Sequence, residues 1–267
     1  MGYEDVEFRS TDGLRLKGWF IPASGQSRGV IVVTHPFPFN RHGFVAKGQG
    51  FPPISHTDVD LLKTMEALNG AGYSVLVFDF RNHGESESGK TGIGLTEYQD
   101  VLGALRYLRE RPDTTGAPVG FVSFCMGANS TIVALASGAG EAKDVRFLVA
   151  VQPVSARVFI SRFLRTQYTL LSLPLVGIVD FWLRVQGGHR LSDMSPVGYA
   201  KKVAVPTLHI QARLDRWTTR EDTEQIFAGF AGEKQLLWLE DIKDRFAAYN
   251  HVGEHPEKVL EFVERHM

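Results

Sequence analysis

GFVSFCMGANS, residues 120–130, changes from one pattern into another at a single position. Up to Phe124 the stretch is an apolar, β-like run, and from Met126 it is a row of small residues suited to a helix. Cys125, the only cysteine of the 267-residue chain, stands at the change, with Ser123 two positions before it and Gly127 two after. A tight strand-to-helix turn needs small residues at those two positions, because the chain crosses close to itself there and forces the central residue into strained geometry. Such a turn presents its central side chain over the N-terminus of the following helix, whose positive end favours a thiolate. Two readings stand for Cys125. It is a nucleophile displayed on a turn, or it is an inert buried thiol, since free cysteine is among the most buried residue types.

Outward from this stretch the chain alternates. GVIVVTH (29–35), SVLVFDF (74–80), PVGFVSF (118–124), VRFLVAVQPV (145–154), VPTLHIQA (205–212) and KQLLWLE (234–240) are short apolar runs, as strands buried on both faces should be. Helical spacing marks 57–73, 95–113, the stretch after Cys125, 221–231 and 256–266. Near the start, VEFRS and LRLKGWFIP alternate around Thr11-Asp12-Gly13, a hairpin signal. The expectation is an α/β fold: a mostly parallel central sheet flanked by helices, with an antiparallel edge. The rhythm breaks over 155–196, which is rich in Phe, Leu and Arg. We expect a helical lid insertion there, with residues 1–154 and 197–267 forming one core; a pair of extra core helices is the plainer alternative.

In a parallel sheet, ligands bind beyond the carboxyl ends of the strands, and Cys125 lies at such an end. Here the sequence resembles the α/β-hydrolase superfamily, and within it the cysteine-bearing, dienelactone-hydrolase-like branch. The stretch around Cys125 is similar to the superfamily's nucleophile elbow, with Cys in place of Ser and Ser123 in place of the first Gly. VIVVTHP resembles the third strand and oxyanion loop, VFDFRNHGES the Asp-x-Arg-Gly-His-Gly-x-Ser segment with Asn82 replacing a Gly, and VPTLHIQARLD the strand leading to the acid. The resemblance implies the α/β-hydrolase fold and a catalytic set of Cys125 as nucleophile, Asp215 as acid and a histidine as base. It also implies oxyanion donors from the backbone N–H of Met126 and of Phe37 or a neighbour.

The base departs from the family's pattern. The usual slot, about five residues past the last strand, holds Arg245, which stays protonated and cannot act as a base. The first histidine beyond it is His251, the candidate base if the loop swings it in. His35 is the second candidate for proton transfer, and loss of the general base altogether is the third reading. Arg245 facing the sulfur could hold a thiolate without accepting a proton.

Phe39 and Phe44 in the long loop 35–56, with Phe163 and Trp182 in the insertion, form the expected wall for a hydrophobic or aromatic small-molecule substrate. The leading expectation is a cysteine-dependent hydrolase of an ester, lactone or thioester, working through a covalent acyl-enzyme. The alternative is a non-hydrolytic member in secondary metabolism carrying out acyl transfer, cyclisation or C–C bond formation; a catalytically inactive ligand-binding protein is the third.

Composition bounds the rest. Lys and Arg number 29 against 30 Asp and Glu, which argues against a nucleic-acid binder. One cysteine leaves no internal disulfide, and the acidic, polar start carries no basic and apolar leader. The most apolar stretch, 168–183, is interrupted by Pro174 and Asp180, too broken for a membrane span. A soluble, cytoplasmic protein is expected, with no membrane or nucleic-acid partner. The insertion is the face where a second copy would dock to form a homodimer. Histidines and acids are scattered without ligand spacing, and GKTGIG (89–94) lacks the spacing of a phosphate loop, so neither a metal nor another cofactor is expected.

Overall fold

A computed structural model describes residues 2–47, 56–169 and 172–267. Residues 48–55 of the long loop and 170–171 of the insertion lie outside the described residues. The hairpin around Thr11-Asp12-Gly13 is β1 (Glu4–Arg9) and β2 (Arg15–Ile21), paired antiparallel from Glu4 opposite Phe20 to Arg9 opposite Arg15. Then come β3 (Val30–Thr34), the short pair β4 (Gly43–Phe44) and β5 (Val59–Asp60), α1 (Leu62–Gly70) and β6 (Ser74–Phe78). α2 (Tyr98–Glu110), β7 (Val119–Phe124), α3 (Met126–Ala136) and β8 (Val145–Val151) follow. After β8 the chain makes α4 (Ala156–Tyr168), α5 (Ser172–Gly187) and α6 (Val197–Ala200). It closes with β9 (Thr207–Ala212), α7 (Arg220–Gly229), β10 (Lys234–Leu239), α8 (Arg245–Glu254) and α9 (Glu257–His266).

Eight strands form one sheet in the order β1-β2-β6-β3-β7-β8-β9-β10. From β6 to β10 neighbouring strands run parallel, and β2 meets β6 antiparallel. Strand residues alternate between two cores, as a period of two requires. Ile31, Val33, Val75, Val77 and Val122 face the core that α1, α8 and α9 cover. Val30, Val32, Leu76, Phe78 and Phe121 face the core of α2, α3 and α7. α3 is buried along all but one of its residues, which explains its small-residue composition. α2 ends where Arg111 turns extended ahead of Pro112, which disfavours helical geometry in the residue before it.

Strand order reverses between β3, which also pairs with β6, and β7, which leads on to β8. Ligands in open parallel sheets sit at this switch point. The register puts Thr34 opposite Ser123 and Phe124 beside Val151, so His35, Cys125 and Gln152 leave their strands side by side. Asp215 follows β9 and Arg245 follows β10 at the same edge.

The segment from Ser155 is tied off where it returns. Ser155 Oγ lies 2.8 Å from Ser195 Oγ, and the Ala156 amide donates to Met194 O at 2.9 Å. Asp222 of α7 accepts from both the amide and the hydroxyl of Ser155, at 2.9 and 2.5 Å. Among the described residues, no helix is long and apolar enough to cross a membrane.

Gly127 shows how tightly the turn is built. A Cβ at that position would lie 2.5 Å from Thr34 Oγ1, 2.7 Å from Thr34 O and 2.9 Å from His35 O. Gly127→Ala is therefore expected to destabilise the fold by about 1–3 kcal/mol through overpacking. Gly140→Ala, where an added methyl meets nothing within 4 Å, should be close to neutral. Urea unfolding of the two variants makes the comparison.

Candidate active site

Cys125 has φ 47° and ψ −110°, a conformation that L-residues seldom adopt. Its amide donates to Val151 O at 2.8 Å, and its carbonyl accepts from the Asn129 amide at 2.9 Å. The residue is thus pinned to the sheet on one side while α3 begins at once on the other. Holding such backbone geometry costs of order 1–3 kcal/mol and survives only where surrounding contacts enforce it. Ser123 Oγ bonds Thr131 Oγ1 at 2.9 Å, closing the turn beneath. Met126 is the first residue of α3, so its amide has no acceptor inside the helix. Phe37, the other expected oxyanion donor, lies in the loop after β3 with its side chain exposed and its ring edge-on to His83.

The sulfur meets a cation. Arg245 Nη2 lies 3.7 Å from Cys125 Sγ and donates to Gln152 O at 3.0 Å. Arg245 Nε donates to the Tyr249 hydroxyl at 2.9 Å, and Nη1 lies 3.4 Å from Asp215 Oδ2. Phe159 of α4 covers the guanidinium, 5.0 Å from ring centre to Cζ. Arg245 is only 2% exposed. Burial works against its charge, but Tyr249, Asp215 and Cys125 together outweigh that and hold its pKa above the ordinary value. Burial likewise keeps the Tyr249 hydroxyl protonated well beyond its usual range. Asp215 also accepts from the Trp217 amide at 2.9 Å and from Thr218 Oγ1 at 3.1 Å. Cysteine, arginine and aspartate therefore stand where the resemblance implies cysteine, histidine and aspartate.

His251 is not brought to this cluster. Asp244 caps α8 by accepting from the Phe246 amide at 3.0 Å, so the expected loop is a helix from Arg245 on. Tyr249, four positions along, shares the face of Arg245; His251, six positions along, is turned away by the pitch of the helix. Its ring lies tilted 4.6 Å from that of His255, and its charge environment is His255, Glu254 and Glu257. His251→Ala is expected to leave the alkylation rate of Cys125 within about twofold of the parent, measured with iodoacetamide.

His35 is equally unable to shuttle protons. Its Nδ1 donates to Pro36 O at 2.9 Å and its Nε2 accepts from the Phe80 amide at 3.0 Å, so both ring nitrogens are occupied. Burial, aided by His83, pushes its pKa down to about 3. His209 on β9 is held at about 3 by burial as well. The unfolded chain protonates these rings near pH 6.5, the folded chain only near pH 3. Their contribution is therefore complete above pH 6.5 and falls by about 1.4 kcal/mol per pH unit per ring as the pH drops towards 3. The stability difference between pH 7 and pH 5 in urea unfolding should shrink by about 2 kcal/mol in His209→Phe.

The expected substrate wall divides. Phe39 is 2% exposed and stacks 4.5 Å from Phe44 and 5.5 Å from Phe246, so it backs the site from within the core. Phe163 stacks with Phe159 and meets Trp217 edge-on at 5.5 Å, beside the Arg245 roof. Trp182 is 56% exposed and touches Phe181 on the outer side of α5, away from any wall. A cavity of about 590 Å³ opens between Phe37 and Pro38, His83, Ile93 and Leu183 of α5. Tyr249, Gln152, Phe159 and Trp217 were not foreseen from the sequence. Of these only Tyr249 carried a signal, its spacing of four from Arg245, which is informative once α8 is known.

Comparison with known proteins follows this geometry. The profile of the alpha/beta hydrolase family matches residues 31–265. The uncharacterized protein YqkD of Bacillus subtilis is 28% identical over 204 residues, which span 76% of this chain and 66% of YqkD. The thiohydrolase aneE of Aspergillus aculeatus is 31% identical over 160 residues, 59% of this chain and 43% of that protein. Among solved structures, the Pyrococcus furiosus esterase Pf2001 superposes with a TM-score of 0.72 at 22% identity, covering 100% of this chain and 92% of that one. This likeness extends to the fold alone. The match of the family profile over most of the chain, together with the sheet order and the turn at Cys125, places the protein: it belongs to the α/β hydrolase family.

Proposed function

We propose that the chain cleaves thioesters of hydrophobic acyl groups, with Cys125 as a thiolate nucleophile paired to Arg245. The observation that carries this reading is the guanidinium 3.7 Å from the sulfur, in the slot where a base is otherwise expected. A serine needs a base to take its proton during attack, whereas a thiolate beside a fixed cation attacks without one. The thiolate adds to the acyl carbon, and the oxyanion is met by the amides of Met126 and Phe37. The C–S bond to the leaving group then breaks, giving acyl-Cys125 and a free thiolate.

The leaving group selects the substrate. A thiolate, with a thiol pKa near 8.5, departs without being protonated, while an alkoxide about as basic as hydroxide does not. Among the described residues beside Cys125, the Tyr249 hydroxyl holds its proton too firmly, through burial, to protonate a leaving oxygen, so thioesters fit the site better than alkyl esters. The relative aneE, named a thiohydrolase, supports the same choice. Aromatic side chains from the body and from α4, including Phe163, Phe159, Trp217 and Phe246, suit an apolar acyl chain.

Release of the acyl group is where the missing base matters. Among the described residues beside Cys125, water attacking acyl-Cys125 finds no group to take its proton. An acceptor that is already a good nucleophile, such as an amine or a thiol, is therefore favoured as the second reading, acyl transfer. The experiment is a matched pair: the N-acetylcysteamine thioester of benzoic acid and its ethyl ester, followed by intact mass and product release. An acyl adduct on Cys125 from the thioester and none from the ethyl ester is expected. Comparable cleavage of the ethyl ester, or thioester cleavage undiminished in Cys125→Ala, would overturn the proposal.

A further inference from the structure

Gln152, the first residue after β8, departs from ordinary geometry in a way the reaction above does not use. It is fully buried, yet its φ is +51°, which is uncommon for a residue other than glycine. Strain of this kind persists where the surroundings over-determine it, and here they do. Its amide is fixed to Ile210 O at 2.8 Å. Its carbonyl, turned by the positive φ, accepts from Arg245 Nη2 at 3.0 Å. Its side-chain Nε2 donates to the carbonyl of the same Arg245 at 2.7 Å. Its Oε1 accepts from Gln211 Nε2 at 3.2 Å.

Gln211 carries the connection onward. Its Nε2 also donates to Thr218 Oγ1 at 3.1 Å, and that hydroxyl donates to Asp215 Oδ2 at 3.1 Å. Asp215 in turn faces Arg245 Nη1. The polar groups at the ends of β8 and β9 thus close a buried ring around the guanidinium. A long, flexible arginine has far more rotamers to lose than the histidine it replaces, so a fixed position requires added constraints.

We infer that Gln152 is a positioning residue that sets the Arg245 guanidinium against the Cys125 sulfur, gripping both ends of the arginine with its main-chain carbonyl and its side-chain amide. The inference rests on the thiolate–arginine reading and deepens it. The sulfur contact at 3.7 Å then depends on a residue whose hydrogen bonds go to the arginine.

The test reads the rate of iodoacetamide alkylation of Cys125 against pH in the full chain, with thermal unfolding alongside. Gln152→Met removes both side-chain bonds and keeps the carbonyl. It is expected to slow alkylation at pH 7 by about three- to tenfold and to move the midpoint of the profile upward. In an Arg245→Lys background, which keeps the charge and gives up the bidentate grip, Gln152→Met should change the profile no further. Equal slowing in both backgrounds would mean a general structural role and overturn the inference. Should Gln152→Met not fold, Gln211→Met loosens Gln152 from the far side without touching Arg245, and the same two-background comparison applies. The two proposals fail separately. If Arg245→Gln leaves alkylation unchanged, the thiolate–arginine reading is wrong. If that variant is slow while Gln152→Met matches the parent, the positioning role alone is wrong.

Discussion

Cys125→Ser is expected to lose thioester cleavage by at least about a thousandfold while keeping the fold. The substitution changes one atom, and serine occupies the same turn without added bulk. Ser123, Gly127 and the bond from the residue 125 amide to Val151 O should hold the backbone as before. The difference is entirely in the proton. A hydroxyl attacks a carbonyl at a useful rate only when a neighbouring base receives its hydrogen. Around this residue stand Arg245, permanently protonated, Tyr249, whose hydroxyl burial keeps protonated, and Asp215, already engaged by Thr218, Trp217 and Arg245. None of them receives a proton from residue 125. A histidine-based site would serve serine and cysteine alike, so the size of the loss reports which kind of site this is. Thiol release from the benzoyl thioester in the first turnover, with melting temperature as the control for folding, makes the measurement. A serine variant within tenfold of the parent would show that a base is at hand.

The sheet explains why so few residues suffice to make the site. Parallel strands deliver their carboxyl ends to one edge, and the register sets β3, β7 and β8 level there. Much of this was legible in the sequence because it depends on local patterns. Apolar runs mark the strands, and the spacing Ser123–Cys125–Gly127 marks the turn. Asp215 falls just beyond β9, and Arg245 five positions past the last strand. The six apolar runs and the two arms of the hairpin make one eight-stranded sheet, β2 lying directly against β6.

What escaped was set by tertiary packing. Residues 245–254 are expected as a loop because the resemblance places one after the last strand, whereas they form α8, in which Gly253 is there for space. A Cβ at Gly253 would lie 2.6 Å from the Thr64 amide, so α8 and α1 approach too closely for a side chain. With α8 unrecognised, the turn that aims Tyr249 at Arg245 and His251 away from it was not visible. The N-terminal part of the 57–73 helix went instead to β5, because Val59 and Asp60 pair with Phe44 and Gly43. Trp182 was assigned to a wall because α5 is apolar on most sides. Composition does not say which side meets the body, and Leu173, Ile178, Phe181 and Val185 share its exposure. The bond between Gln152 and Arg245 spans 93 positions, and no periodicity announces such a pair.

Arg245→Gln should be the most damaging change for stability. It removes the charge from a buried pair and leaves the Asp215 carboxyl group buried, with the Trp217 amide and the Thr218 hydroxyl to accept from. Breaking a buried ion pair from one side costs about 3–5 kcal/mol, chiefly because the remaining charge stays desolvated. The same change takes the cation from beside the sulfur, so alkylation of Cys125 at pH 7 should fall at least about tenfold. Arg245→Lys separates the two effects. It restores a positive charge for Asp215, so much of the stability should return. A single ammonium cannot at once face Asp215, Gln152 O, the Tyr249 hydroxyl and Cys125 Sγ, as the planar fork of arginine does. Alkylation should therefore recover less than stability does. Urea unfolding and alkylation kinetics on the three proteins give both readings. A lysine variant that regains full reactivity would show that charge alone, without the guanidinium's geometry, governs the sulfur.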